Sequence, residues 1–214
     1  MSTPSSDIKA KSSWLPWALF TLVTAIGFIA WAEMRQWQFG NLTTYALFPL
    51  LGLWAWSIMW THYAFGGIRL VSTLPKNVSY SRISGAIVLA CLLLHPGLLA
   101  YGQWRTQDLL PPGSFYSYVG TSLKSAVLLG SISLLIFLAF DVGTRLKKYV
   151  WVRRNWRWLS LAQALAMTFI FIHSLRLGQN LQHGWFQFWW VVLGALLIPC
   201  FGLILREDFR RKEN

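Results

Sequence analysis

Histidines are the side chains of this sequence best suited to chemistry, and three of the four stand in or beside long apolar runs. His95 lies in "CLLLHPGLLAY" (91–101), His173 in "FIFIHSLRLG" (169–178) and His62 in "MWTHYAFGG" (59–67). Because an ionisable group in hydrocarbon is costly unless it faces a partner, each of the three is a candidate functional residue. His183, between Gln182 and Gly184, is expected in a solvated outer loop.

Six apolar runs, each long enough to cross a bilayer as a helix, must position these histidines. Hydrophobic residues make up 55% of the chain and charged residues only 12%, against about a quarter charged in a soluble domain. The runs lack the alternation of barrel strands, so we expect an all-α membrane protein, a six-transmembrane-helix bundle within 14–205, between a polar tail (1–13) and a basic tail (206–214). The predicted spans are 14–32, 43–63, 83–103, 117–140, 158–177 and 185–205.

The basic residues predict the orientation of the bundle. Fifteen Lys and Arg fall on one side of the six runs, whereas the other side has only Arg35, Arg105, Lys124 and Arg176. Under the positive-inside rule this places both termini in the cytoplasm, and we expect a multi-pass protein of a bacterial inner membrane. The net charge of +12 is divided among the loops rather than spread along one face, which excludes a nucleic-acid partner and leaves membrane lipid as the partner.

Two segments have more than one interpretation. "AWA" (30–32) resembles a signal-peptide cleavage site, but the long apolar run, Trp31 and Glu33 favour a retained first span. The basic, aromatic connection 141–157 is typical of a membrane-surface anchor, and the alternative is a docking surface for an acidic cytosolic partner. No internal repeat is evident.

The depths of His95 and His173 match. His95 lies 13 residues after Arg82 and His173 lies 16 after Arg157, roughly 20 and 24 Å along helices of the same direction. Two imidazoles at similar depth suit a haem held between two helices, with one histidine on each face of the iron. The alternative is that each histidine only hydrogen-bonds a neighbouring helix.

Three cations at the outer boundary are candidate partners of haem propionates. Arg176 is three residues after His173 and shares its helix face, while Arg105 and Lys124 stand at the outer ends of their helices. The positions of these three cations are explained equally well by ordinary snorkelling, in which a long side chain reaches from the membrane to the water. Three glycines in these helices allow close approach of a ring or a helix: Gly85, Gly97 and Gly130.

Several kinds of redox site are excluded by the sequence. It has no Cys-x-x-Cys-His motif, so any haem would be non-covalent, and Cys91 and Cys200 lie within apolar runs. It has no dinucleotide or phosphate-binding loop, so electrons would come from a membrane quinol or from a separate protein such as a flavin reductase.

The stretches "RISGAIVLACLLLHPGLLAY" (82–101) and "VRRNWRWLSLAQALAMTFIFIHSL" (152–175) resemble the third and fifth helices of the ferric-reductase-like transmembrane family. That family includes the haem-binding membrane subunit of bacterial methionine sulfoxide reductase systems. The resemblance implies a b-type cytochrome with His95 and His173 as axial ligands. Family members with two haems carry a second histidine 13 to 14 positions earlier on each helix, where this chain has Ser81 or Arg82 and Leu159 or Ser160. The resemblance therefore implies one haem b.

More than one interpretation remains open for His62 and for the function of the protein. His62 could help hold a cofactor such as a quinone, relay a proton, or be an interfacial histidine beside Trp60 and Tyr63. We expect a single-haem cytochrome that passes electrons from a quinol or a reductase partner to an acceptor at the outer face. The rivals are a cofactor-free scaffold with structural histidines and a transporter, the latter disfavoured by the scarcity of carboxylates within the runs.

Overall fold

The computed structural model describes residues 6–72, 74–182 and 184–210, and this part of the chain is helical and contains no strand. The predicted loop residue His183, the first five residues of the polar tail and the last four of the basic tail lie outside the described residues. The helices are α1 (Ser6–Met34), α2 (Thr44–Val71), α3 (Val78–Gln107), α4 (Gly113–Val119), α5 (Lys124–Arg145), α6 (Val150–Arg154), α7 (Trp156–Leu177) and α8 (Trp185–Arg210). The all-α fold class is confirmed.

Each predicted span overlaps one long helix, and five of these helices are long and apolar enough to cross a membrane. They are α1 from Trp14 onward, α3, α5 with the turn before it, α7 and α8. The exception is α2, which carries Trp, Tyr, Thr and His side chains among its aliphatic residues. Fourteen of its 28 residues are buried, against four of 26 in α8, so its polar groups face protein. The structure thus shows a chain suited to a multi-pass membrane protein.

The fourth apolar run forms two helices instead of the single span predicted from 117 to 140. The short helix α4 ends at Gly120, whose φ of +75° is left-handed and open only to glycine at little cost. A turn of 3₁₀ helix, Thr121–Leu123, then leads into α5. The backbone conformation of one glycine therefore separates α4 from α5 and shortens the apolar helix at its N-terminal end.

The chain divides into two compact units, Met1–Leu99 and Ala100–Asn214. In the first unit, α1 and α2 are antiparallel and joined by two indole hydrogen bonds. Trp31 Nε1 donates to the carbonyl oxygen of Ala46 at 2.8 Å, and Trp54 Nε1 donates to that of Thr24 at 3.0 Å. These bonds satisfy indole N–H groups that would be unpaired in hydrocarbon.

In the second unit, α7 packs between α5 and α8 through side chains that lie over glycines. Leu159 contacts Gly143 of α5, and the ring of Phe171 lies over Gly194 of α8. Ser133 Oγ of α5 donates to the carbonyl oxygen of Ala166 at 3.1 Å. Small residues let membrane helices approach closely, which explains why these contacts hold the helices together.

Candidate functional site

The contacts that hold His95 against the neighbouring helix α2 include a backbone hydrogen bond and a close approach to a glycine. Its Nδ1 lies 2.6 Å from the carbonyl oxygen of Phe48. Its Cε1 and Nδ1 lie 2.8 and 2.9 Å from the point where a Cβ on Gly52 would stand. Since real Cβ contacts are never that short, only glycine at position 52 leaves room for this ring.

His173 has the same surroundings in the second unit. Its Nδ1 lies 2.7 Å from the carbonyl oxygen of Ala126 on α5. Its Nδ1 and Cε1 lie 2.5 and 2.6 Å from the position of a Cβ on Gly130. Both rings, that of His95 and that of His173, are half-buried rather than enclosed.

These hydrogen bonds fix the tautomer of both rings. A carbonyl oxygen can only accept a hydrogen bond, so Nδ1 of each ring carries the hydrogen, and the lone pair of the neutral ring is on Nε2. Histidines that bind metals commonly donate their second ring N–H in this way, which orients the ring and makes the ligating nitrogen more basic. His95 and His173 therefore have the chemistry of Nε2 metal ligands.

The two arrangements are related by a constant shift of 78 residues along the chain. It takes Phe48 to Ala126, Gly52 to Gly130 and His95 to His173, and in each case 47 residues separate the accepting carbonyl from the histidine. The helices that carry the histidines also begin 78 residues apart, at Val78 and Trp156. The expectation that the chain has no internal repeat did not foresee this local repeat: each unit contains one histidine bonded to a carbonyl one turn before a glycine, although α5 and α7 pack more closely than α2 and α3.

The repeat has weak sequence signals that could have revealed it. The segments "FPLLG" (48–52) and "AVLLG" (126–130) share their last three residues, and an asparagine, Asn77 or Asn155, precedes each histidine-bearing helix. Of the three glycines singled out in the sequence, only Gly130 contacts a histidine. A Cβ at Gly85 or Gly97 would meet no described atom within 4 Å, and sequence reasoning missed Gly52.

His62 belongs to a separate polar cluster between α2 and α3. Ser84 Oγ donates to the carbonyl oxygen of Tyr80 at 2.5 Å, so it accepts from His62 Nε2 at 2.9 Å. The Tyr80 hydroxyl bonds to Thr61, and its ring centre lies 5.3 Å from that of His62. His62 therefore has Nε2 protonated, the opposite tautomer from the other two rings.

The position of His62 along α2 separates it from the His95 site. His62 is ten residues beyond Gly52, which is about 15 Å along a helix. Its neighbours Trp60 and Tyr63 are buried at 7% and 9% exposure, so the segment is packed inside the first unit. His62 is therefore too far along the helix to ligate the same iron as His95.

Ser81 and Ser160, two of the positions compared above with the second histidine pair of the two-haem proteins, both make hydrogen bonds. Ser160 Oγ donates to Asp208 Oδ2 of α8 at 2.6 Å, which ties the N-terminal end of α7 to α8. Ser81 Oγ donates at 3.1 Å to the carbonyl oxygen of Asn77, the residue just before its helix. Both serines thus have structural roles.

The three outer cations are all exposed and stand at helix ends, as expected. Arg105 and Arg176 lie in the last turns of α3 and α7, and Lys124 begins α5. The Lys124 ammonium lies 5.7 Å from the ring centre of Tyr116. Their exposure leaves them able to reach an anionic group.

The described residues do not form a metal site made of protein ligands alone. Nowhere among them do three His, Cys, Asp or Glu side chains come together. A haem supplies four nitrogen donors of its own, so two axial imidazoles are all that it needs from a chain. The donor chemistry of His95 and His173 fits that requirement.

Comparison with protein-family models, curated proteins and solved structures gave no match to this chain. In the described part of the chain the structure is all-helical, with five helices able to cross a membrane and two histidines that bond a neighbouring helix in the same way.

Proposed function

We propose that this protein is a b-type cytochrome that carries single electrons within a membrane. One non-covalent haem b has His95 and His173 as axial ligands, and the donor is a quinol or a flavin reductase partner. The acceptor lies at the outer face, and a separate protein performs the chemistry on its substrate. The expected host is the inner membrane of a bacterium.

The observation that carries this proposal is the matched state of two histidines in two hairpins. In both, Nδ1 donates to a carbonyl oxygen of the adjacent helix, at 2.6 and 2.7 Å, and Nε2 keeps the lone pair. The Nδ1 hydrogen bond and the glycine contact orient both rings alike, which is the second-ring-nitrogen arrangement common among metal-binding histidines. The matched depths calculated from the sequence support assigning both ligands to one iron.

The membrane arrangement in the proposal has six spans, with α2 as the sixth and both termini in the cytoplasm. The excess of basic residues on one side supports the orientation, and the burial of α2 within the first unit explains how a less apolar helix crosses. Arg105, Lys124 and Arg176 are then at the outer boundary, where they bind the propionates. His62 is not a ligand.

The chemistry that a bis-histidine haem supplies is outer-sphere electron transfer, since neither axial position is open to oxygen or substrate. The chain's own residues hold the two imidazoles in one orientation and one tautomer. The apolar walls of the helices exclude water, and the outer cations offset the negative charge of the propionates.

An absorption spectrum of the purified full-length protein tests the proposal directly. Expressed with adequate haem supply, it should show a sharp reduced α-band near about 560 nm, typical of bis-histidine ligation. Haem quantified per chain should approach one. A colourless preparation, or a ratio near two, contradicts the proposal.

Histidine variants identify the ligands. His95→Ala and His173→Ala should each abolish or strongly reduce haem binding, because each removes an axial nitrogen. His62→Ala, the matched control, should retain the spectrum, since His62 Nε2 is bonded to Ser84. Loss of haem in the His62 variant alone would mean that the ligands are wrongly assigned.

A second candidate is a cofactor-free membrane scaffold, because both histidines do bond a neighbouring helix. In that case the two alanine variants lose stability without any change of colour. A colourless wild-type protein whose thermal unfolding temperature falls in both variants would favour the scaffold.

A further inference from the structure

The connection between α5 and α7, residues 146–155, is a surface of cations and exposed apolar side chains at the end of two membrane-spanning candidates. We call it the basic loop. Only ten residues separate Arg145, the last of α5, from Trp156, the first of α7, so the loop cannot extend far beyond the ends of these helices. It must therefore lie at the level of the lipid headgroups.

The loop is a defined structure. Tyr149 N donates to the carbonyl oxygen of Leu146 at 3.0 Å, and Arg153 N to that of Tyr149 at 3.2 Å. Asn155 Nδ2 donates to the carbonyl oxygen of Trp151 at 3.0 Å, which closes α6. Its cations are consequently presented from a fixed backbone.

Charge in the loop has one sign. Lys147, Lys148, Arg153 and Arg154 are exposed, and the sequence has no carboxylate from 142 to 157. The nearest one, Asp141, pairs with Arg145 at 2.9 Å. The Lys147 ammonium lies 3.7 Å from the ring centre of Trp156, which holds it near the helix end. The complementary ligand is an anion.

The apolar side chains of the loop indicate what kind of anion the loop binds. Val152 is buried at 8% exposure and anchors α6, whereas Val150 and Trp151 are 68% and 74% exposed. An anionic protein surface gives these two side chains no hydrocarbon to enter, but a lipid monolayer does. Tryptophan is typical of the interface between headgroups and acyl chains.

We propose that the basic loop is a binding site for anionic phospholipid, with the four cations on the phosphodiester groups and Val150 and Trp151 among the upper acyl carbons. The site is independent of the electron-transfer proposal. It makes the protein selective for an anionic leaflet over a zwitterionic one.

Native mass spectrometry of the full chain in detergent tests this, with dioleoylphosphatidylglycerol and dioleoylphosphatidylcholine titrated separately. The anionic lipid should bind more tightly. The K147Q/K148Q/R153Q/R154Q variant should lose about tenfold or more of the affinity for the anionic lipid and none for the zwitterionic one. Equal binding of the two lipids by the wild type overturns the proposal and leaves an acidic protein partner as the interpretation.

A matched control removes the same charge elsewhere on the predicted cytoplasmic side. The exposed residues Lys76, Arg82, Arg206 and Arg210, all changed to Gln, should alter the affinity by less than about twofold. Equal losses in the two quadruple variants would show a general charge effect and overturn the site. If the first variant does not fold, the pair K147Q/K148Q gives the same comparison against K76Q/R82Q.

A soluble headgroup separates lipid recognition from simple phosphate binding. Glycerophosphoglycerol, which has the phosphodiester without acyl chains, should compete poorly, because Val150 and Trp151 have nothing to contact. Competition equal to that of the lipid would mean that the loop binds free phosphodiesters, and the membrane assignment would be wrong.

Discussion

At the scale of single residues, the glycines explain the geometry of the histidines. A helix surface normally presents Cβ atoms, and these would keep an imidazole too far away to reach a backbone carbonyl. Gly52 and Gly130 each follow the accepting residue by one helical turn, so the ring lies over the glycine and bonds the carbonyl behind it. The glycine is therefore as necessary to the tautomer as the acceptor is.

Gly130→Ala and Gly52→Ala should each displace a histidine ring. The new methyl would stand within 2.9 Å of two ring atoms, so the Nδ1 hydrogen bond must lengthen or break. We expect a loss of about 1–3 kcal/mol in the free energy of unfolding, together with reduced haem content. Thermal unfolding and haem per chain measure the two effects.

Gly97→Ala and Gly202→Ala are the matched controls, since a Cβ at either position meets no described atom within 4 Å. Alanine is a better helix former than glycine, so these variants should be unchanged or stabilised by up to about 1 kcal/mol. If all four variants behaved alike, helix propensity would explain the result and the proposed role of the glycines would be wrong.

At the scale of helices, the bond between Ser160 and Asp208 holds the N-terminal end of α7 against the C-terminal end of α8. It is short, at 2.6 Å, and Ser160 is 9% exposed, so water competes little for it. A histidine at position 160 would require α8 to move away from α7. Position 160 thus serves helix packing in this chain. In the two-haem proteins that the sequence resembles, the corresponding position would ligate a haem iron.

Ser160→Ala should lower the free energy of unfolding by about 1.5–3 kcal/mol, the range for a hydrogen bond to a charged group. Asp208→Ala should cost a similar amount, and the double variant little more than either alone, because the two changes remove one interaction. Denaturant titration in detergent measures all three. Fully additive losses would contradict the pairing.

The exposed ion pair of Arg145 with Asp141 is the control for that experiment. Its side chains are 69% and 39% exposed, so water and salt screen it. Asp141→Asn should change stability by less than about 1 kcal/mol.

At the scale of the whole molecule, the number of spans decides where the C-terminus lies. With the N-terminus in the cytoplasm, six spans return the C-terminus to the cytoplasm, whereas the five helices that meet the length and hydropathy requirement would leave it outside. The distribution of basic residues, read by the positive-inside rule, favours six spans.

A reporter fused after Asn214 measures on which side of the membrane the C-terminus lies. Green fluorescent protein should fluoresce there and alkaline phosphatase should be inactive, because the former folds in the cytoplasm and the latter outside it. Fusions truncated after Gly113 should give the reverse pattern. An active phosphatase at Asn214 would contradict the sixth span.

The sequence predicted the helices well because lipid imposes one rule on every run: the backbone must satisfy its own hydrogen bonds. It did not predict the break at Gly120, which depends on a single left-handed backbone conformation. Nor did it predict the roles of Gly52 or Asp208, since each acts on a residue of another helix. The histidines could be picked out as anomalies, but their tautomers depend on carbonyls 47 residues away.

The enclosed position of α2 has a consequence for how the protein enters the membrane. The helix α2 carries the polar side chains of Thr61 and His62, and half of the helix is buried once the first unit is complete. In the six-span arrangement proposed above, insertion of these polar side chains would depend on α1 and α3 being present to shield them. We expect α2 to wait at the translocon until α3 has been synthesised, so the three helices would leave for the bilayer together.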